Sequence, residues 1–327
     1  MPDTISLKAI RKPIDGEMTS FDKKFRDSVK TKVPLLDRVM NYIVKRKGKQ
    51  IRPILVFLSA GCAAGHIDER THRGAALVEL LHTATLIHDD VVDDSYQRRG
   101  FFSINALWKN KVAVLVGDYL LSRGLLLSVQ NKDFDLLEIS STAVRLMSEG
   151  ELYQLEKSRL LNITEDEYYD IITKKTASLL ASCCAMGARS VTNDEEIVEK
   201  FRKFGENLGI AFQIKDDLFD FGEFNSGKPS GVDLKEKKLT LPIIYSLRST
   251  DKSTKKKILG KIRNFDKSKN DLNEVIDFIK GNGGIDYSLN RMEYYKTAAS
   301  DILETFDESE YKESMKMLIE YVISRRN

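Results

Sequence analysis

Two copies of one acidic pattern, Asp-Asp-x-x-Asp, stand in a chain of 327 residues: Asp89, Asp90 and Asp93, then Asp216, Asp217 and Asp220. On a helix, residues three and four apart share a face, so each triplet is expected to turn its carboxylates to one side, with Asp94 joining the first set. Like charges gathered in this way repel one another. Among apolar neighbours such as Leu86, Ile87, Phe212, Ile214, Leu218 and Phe219 they are tolerable only if cations neutralise them. An all-carboxylate site without Cys or His suits Mg²⁺, with Mn²⁺ as a substitute. Mg²⁺ keeps waters and shares its shell between a few carboxylates and substrate phosphate oxygens. Two clusters therefore point to a diphosphate held from both sides. A chance acidic run on a solvated helix face would not sit in such apolar flanks.

Basic residues accompany the clusters. Gly48-Lys49-Gln50-Ile51-Arg52-Pro53 sets two cations at a helix start, where free N–H groups and the helix dipole also favour anions. Arg offers a planar fork to phosphate oxygens and Lys a point charge. Arg98-Arg99-Gly100 follows five residues after Asp93 and reads as another helix end. His82 lies seven residues before Asp89, on about the same face; a lone His on an apolar helix is commonly a packed core residue. Lys175-Thr176, Lys228 and Lys238 complete enough cations for a second diphosphate bound without metal.

The elements that must position these groups are helices. Apolar residues recur at helical spacing in Leu77, Leu80, Leu81, Ala84, Ile87 and Val91, and again in Phe201, Phe204, Leu208, Ala211 and Phe212. No segment alternates with period two, so a sheet is not expected. A long helix is predicted from Asp68 or Thr71 to about Asp94, with others at about 111–130, 134–160, 164–187 and 193–222. Thr164 with Glu167 forms a capping box, and Asn193 with Glu196 a weaker one. Pro53 suits a first helical turn. Residues 1–19 read as a loosely packed lead. Gly222 to Lys238, with Gly227, Pro229 and Gly231, reads as a mobile loop able to close over a substrate. None of the 6 Pro lies between Pro53 and Pro229, so no linker divides the chain. One all-helical domain over 1–327 is expected.

In this order, Gly48-Lys49-x-x-Arg52-Pro53, His82, Leu86-Ile87-His88-Asp89-Asp90-Val91-Val92-Asp93, Arg98-Arg99-Gly100, Lys175-Thr176, Phe212-Gln213-Ile214-x-Asp216-Asp217-x-x-Asp220 and Gly227-Lys228-Pro229-x-Gly231-x-Asp233-Leu234 resemble the trans-type isoprenyl diphosphate synthases. The resemblance spans residues 48 to 242. It implies an all-α bundle with a central cavity, a homodimer, and head-to-tail condensation of isopentenyl diphosphate onto an allylic diphosphate. It also implies roles. The six aspartates are similar to the Mg²⁺ ligands of the allylic diphosphate, with Arg98, Lys175, Lys228 and Lys238 as its cationic clamp. Lys49, Arg52, His82 and Arg99 resemble the isopentenyl diphosphate pocket, and Thr176 and Gln213 the groups facing the carbocation. Two departures stand out: Lys237-Lys238 replaces the usual Gly-Lys, and Phe101-Phe102 replaces a small or polar pair.

Such chemistry ionises an allylic C–O bond, so metal and cations must stabilise the departing diphosphate. No side-chain nucleophile is required. Product length depends on how far the growing tail runs along the helix of the first cluster. Thr85 and Ala84, four and five residues before Asp89, are small, and Leu81 lies one turn further back. In the family that the chain resembles, bulky residues at those positions or two residues inserted within the first acidic motif mark short-chain enzymes. This chain has neither, so the resemblance implies a long-chain product, hexaprenyl to decaprenyl, over farnesyl or geranylgeranyl. It would serve as a quinone side chain.

A net charge of +3 near balance predicts no nucleic-acid partner. Lys255-Lys256-Lys257 leaves a peripheral membrane contact open. Three Cys, two of them adjacent, make no disulfide framework. With no signal-peptide pattern and no uncharged apolar run near a membrane span, a cytoplasmic location is expected. Three rival functions share some of these residue types. Glu69-x-x-His72 and Glu79-x-x-His82 fit the residue types of a di-iron bundle, but ten residues on one helix separate them by ~15 Å along the axis. A terpene cyclase would not need Lys49, Arg52 and a second full aspartate motif. A non-catalytic partner subunit should have lost aspartates or arginines.

Overall fold

The computed structural model describes residues 5–46, 48–98, 100–222, 231–264 and 269–324. Helices dominate them: α1 (Leu7–Arg11), α2 (Asp15–Ser28), α3 (Pro34–Lys45), α4 (Ile51–Ala64), α5 (Glu69–Val92), α6 (Ile104–Asn131), α7 (Phe134–Leu160) and α8 (Glu165–Ile172). A π-helical stretch (Thr173–Ala177) joins α8 to α9 (Ser178–Val191), and α10 (Glu195–Phe219) follows. The C-terminal third holds α11 (Val232–Lys235), α12 (Leu241–Arg248), α13 (Lys252–Arg263), α14 (Lys269–Gly281), α15 (Gly284–Leu303) and α16 (Glu310–Ser324). The all-α expectation holds. One addition is a small antiparallel hairpin, β1 (Gln97–Arg98) with β2 (Phe101–Phe102), turning at Gly100 with φ +76°. Two-residue strands are too short to show a period in sequence.

The chain divides into two compact units. The first comprises Met1–Val144, Ser182–Arg202 and Phe306–Met315, the second Arg145–Ala181, Lys203–Thr305 and Lys316–Asn327. In the first, α4 and α5 form the core with α6. Residues 54–61 of α4 are buried all round, as expected of an apolar helix enclosed by others. The first unit also corrects the N-terminal expectation. Ile10, Ile14, Met18, Phe21 and Phe25, spaced by three and four, are all buried, so the segment is a packed helical edge and not a loose lead. In α6, Lys109 has φ +71°, which kinks the helix just before the start expected at 111. By length and composition α6 could cross a membrane, but Asp118 and Arg123 interrupt it, so no uncharged run in it approaches that length.

In the second unit α12 packs on α15, and α13 pairs with α14. The Thr164 capping box forms as expected: Thr164 N–H donates to Glu167 Oε2 (2.8 Å), and Glu167 N–H to Thr164 Oγ1 (3.3 Å). The start of α10, in the first unit, differs. Asp194, not Asn193, accepts from the Glu196 and Ile197 N–H groups (2.9 and 3.3 Å). A carboxylate there also complements the positive end of the helix dipole.

Candidate active site

The first aspartate cluster ends α5. Asp94 adopts φ +47°, and the N–H groups of Asp93 and Ser95 donate to the carbonyls of Asp89 (2.8 Å) and Asp90 (2.9 Å), a left-handed helix stop made without glycine. Asp94 therefore leaves the helix and does not join the triplet. The triplet itself splits. Asp89 and Asp93, four apart, are exposed, whereas Asp90 is 5% exposed, and its carbonyl accepts from Asn105 Nδ2 (3.0 Å). Neighbouring helical residues diverge by about 100°, which is why Asp90 cannot follow Asp89.

Asp90 turns instead to a cavity of about 260 Å³ whose lining includes Arg46, Arg52, Glu79 and His82. Arg52 Nη1 lies 3.9 Å from Glu79 Oε2, and His82 is buried on the wall. The structure thus places Arg52 and His82 on the lining of one cavity. Lys49 is exposed just before α4 and is not part of the lining. Arg98 stands in β1 and not at a helix end. Arg99 and Lys228 lie outside the described residues, as do residues 223–230 of the loop expected from Gly222 to Lys238; its described remainder folds into α11 instead of a loose loop.

The second cluster sits at the end of α10 in the second unit. Gly209 on α10 and Gly150 on α7 let these helices approach the π stretch: a Cβ on Gly209 would lie 2.5 Å from Ala177 Cα, and one on Gly150 2.7 Å from the Lys175 nitrogen. The π stretch carries both Lys175 and Thr176, and such bulges concentrate at functional sites. Lys175 Nζ pairs with Glu151 Oε2 at 2.6 Å. Thr176 Oγ1 donates to Gln213 Oε1 (2.7 Å), and Gln213 Nε2 donates to Asp217 Oδ1 (2.9 Å). Tyr168 O–H donates to Asp217 Oδ2 (2.7 Å), and Lys238 Nζ lies 3.4 Å from Asp217 Oδ1 and 3.3 Å from Asp233 Oδ1. Sequence reasoning missed Tyr168 and gave Asp233 no role. Nothing in the local sequence at Tyr168 signals a partner 49 residues away.

Asp217, 1% exposed, thus rests among three donors. Asp220 Oδ1 accepts from the Val232 N–H (2.7 Å), while Asp220 Oδ2 is buried with no hydrogen bond. Burial raises the Asp220 carboxyl against the pull of the α11 N–H groups. Burial also pushes Asp233 up to about 6; Lys238 opposes that shift, and the charges of Asp217 and Asp220 add to it. For Lys238 burial works against the charge, yet Asp217 and Asp233 outweigh it and keep the ammonium protonated. Burial first, then the Asp217 charge, raises the Tyr168 hydroxyl far above its ordinary range, so it remains a donor.

Residues 33–279 match the family described as Polyprenyl synthetase. The chain belongs to that family. It is 35% identical over 315 residues to the all-trans-nonaprenyl-diphosphate synthase (geranyl-diphosphate specific) of Rhodobacter capsulatus, covering 96% of each chain. It resembles the crystal structure of a polyprenyl synthase from Caulobacter crescentus CB15, complexed with calcium and isoprenyl diphosphate, with TM-score 0.87 and 31% identity over 100% of both chains. A geranylgeranyl pyrophosphate synthase from Bacteroides thetaiotaomicron gives TM-score 0.80 and 38% identity over 97% of this chain and 99% of that one. The chain is accordingly a trans-type prenyltransferase, and the di-iron and cyclase readings fall away.

The polyprenyl synthetase site fits a hard divalent cation on its own donors. Its acids are all carboxylates, and the free, buried Asp220 Oδ2 is an acceptor without a proton donor. Among the described residues no three acidic, His or Cys side chains converge into a protein-only cage. Mg²⁺, which takes one or two carboxylates and completes its shell with water and phosphate, needs none.

The departure at Lys237-Lys238 has a clear geometry in this family member. Lys237 is exposed with φ +61°, the left-handed conformation a glycine would take without strain, while Lys238 reaches the acidic cluster. Lys237→Gly is expected to leave turnover unchanged and to shift stability by less than about 1 kcal/mol, since relief of strain offsets glycine's greater unfolded entropy. Lys238→Gln should instead lower turnover more than tenfold. Steady-state kinetics and a thermal melt on both variants check this; equal losses in the two would show that both lysines serve the site.

Proposed function

We propose that this chain adds isopentenyl diphosphate head-to-tail to an allylic diphosphate, and repeats the step to an all-trans product of hexaprenyl to decaprenyl length used as a quinone side chain. The arrangement around Asp217 and Asp220 supports this reading most. Asp217 is fixed by an amide, a phenol and an ammonium, and Asp220 keeps an oxygen free, which is what a cation carrying a diphosphate requires. In this reading Asp89, Asp93, Asp216, Asp217 and Asp220 would hold Mg²⁺, which would supply charge stabilisation for the departing diphosphate, while Asp90, turned to the cavity, stands outside that set.

The protein's own groups do the rest. Lys238 and Lys175 add fixed positive charge for the allylic diphosphate, joined by Arg98 and Lys228. Lys49, Arg52, His82 and Arg99 bind isopentenyl diphosphate. Thr176 Oγ1 and Gln213 Oε1, locked to each other, present oxygen dipoles to the allylic cation without a nucleophile that could trap it. The double bond of isopentenyl diphosphate attacks that cation, and the proton then lost passes to the departed diphosphate. Small residues at Ala84 and Thr85 leave the growing tail its room. Chelation should abolish turnover, and Mg²⁺ or Mn²⁺ should restore it; full turnover in excess chelator would contradict the role given to the aspartates.

We further propose that a second copy of the chain covers α6. Leu107, Val114, Leu115, Leu125, Leu126 and Val129 on this helix are each between 41% and 59% exposed, an apolar surface too large to leave in water on a cytoplasmic enzyme. Peripheral membrane contact would serve release of so apolar a product.

A further inference from the structure

The pair Phe101-Phe102, unexplained by the sequence, lies against the cavity that holds Arg52 and His82, and so does Arg46, at the end of α3. The Arg46 guanidinium carbon sits 3.6 Å from the centre of the Tyr42 ring and 4.3 Å from that of Phe101, so the plane is held by two aromatic surfaces. Tyr42 is itself fixed: its O–H donates to the Phe102 carbonyl (2.6 Å), and its ring meets Trp108 edge-on at 5.1 Å. Ring stacking leaves the edge of a guanidinium, with its five N–H donors, available for an oxyanion. No carboxylate among the described residues comes within 4.0 Å of Arg46. The other charges on the lining are Arg52, which faces Glu79, and Asp90. Without Arg46 these described side chains would sum to a net negative wall around a ligand that is itself an anion.

We propose that Arg46 is a further binding residue for the diphosphate of isopentenyl diphosphate, with Tyr42 and Phe101 holding its guanidinium ready at the cavity. This rests on the reading that the cavity takes isopentenyl diphosphate. A planar, preoriented fork loses little freedom when it meets two phosphate oxygens. Phe101 thereby acquires a purpose: it is the second face of the clamp. Its removal should weaken binding less than removal of the charge.

The test is calorimetric titration of the full-length protein with isopentenyl diphosphate, and separately with inorganic pyrophosphate, beside a thermal melt. Arg46→Gln should weaken binding about tenfold or more, the range expected when a charged hydrogen-bond partner is lost. Arg46→Met, which keeps an alkyl chain between the rings, should weaken it as much, and Arg46→Lys should fall between. Affinity of Arg46→Gln within twofold of the unsubstituted protein would overturn the proposal. So would a loss in Arg46→Gln and Arg46→Met that tracks a fall in Tm, which would make Arg46 a packing residue. If the unsubstituted protein binds pyrophosphate in an Arg46-dependent way but not isopentenyl diphosphate, the Arg46 anion site stands and the substrate reading fails. If it binds neither, both fall.

Discussion

Asp89→Ala and Asp216→Ala are each expected to lower kcat by about 100-fold or more, close to 2.7 kcal/mol of transition-state stabilisation. The leaving diphosphate gains charge as the allylic C–O bond breaks, and a metal ligand removed from that charge is missed most at the transition state. The two variants also separate catalysis from folding. Asp89 is exposed, so its loss should change stability by less than about 0.5 kcal/mol. Asp217→Ala would be less clean, because it strips the acceptor from Tyr168, which is fully buried, and one of two carboxylates from Lys238. Steady-state kinetics at saturating Mg²⁺ read the effect. Losses below about tenfold in both variants would remove the aspartates from the reaction.

Ala84→Tyr is expected to shorten the product while leaving the carboxylates and cations intact. Ala84 is 0% exposed and Leu81, one turn back, is also buried, whereas Thr85 is only half-buried. A ring at 84 must therefore displace neighbours, at a cost of about 1–3 kcal/mol. Thr85→Phe carries the same test at a position with more room. The expected result is products of geranylgeranyl length or shorter in at least one variant, at rates near that of the parent enzyme. Unchanged length and rate in both would place the tail's path elsewhere. An Ala84→Tyr protein that no longer folds would mark Ala84 as core and leave Thr85→Phe to decide.

Much of this was legible in the residues because helical period and punctuation agree along the chain. Asp68 starts α5 and the turn after Val92 ends it, close to where the sequence put both. Helix α7 runs over the expected 134–160, and Thr164 caps α8 with Glu167. The family motifs led correctly to the Polyprenyl synthetase match. What stayed hidden depends on partners distant in sequence or on single backbone angles. Tyr168 donating to Asp217 is a contact across 49 residues. The π stretch at Thr173–Ala177 adds one residue to a helical turn without any Gly or Pro to mark it. Asp94 and Lys237 take the left-handed conformation that sequence reading reserves for glycine. The packing of the N-terminal segment is hidden for a different reason. Pro13 and Gly16 interrupt the chain visually, yet the stripe Ile10, Ile14, Met18 continues through them into the core.

The most direct test of the central claim is the size of the product. Purified protein would be incubated with isopentenyl diphosphate, Mg²⁺ and, in separate reactions, dimethylallyl, geranyl and farnesyl diphosphates, and the dephosphorylated products sized by mass. The account predicts all-trans products of hexaprenyl to decaprenyl length with at least one primer, none of them formed in the presence of chelator. Products no longer than geranylgeranyl would contradict the long-chain reading, and no condensation with any primer would contradict the proposed function itself.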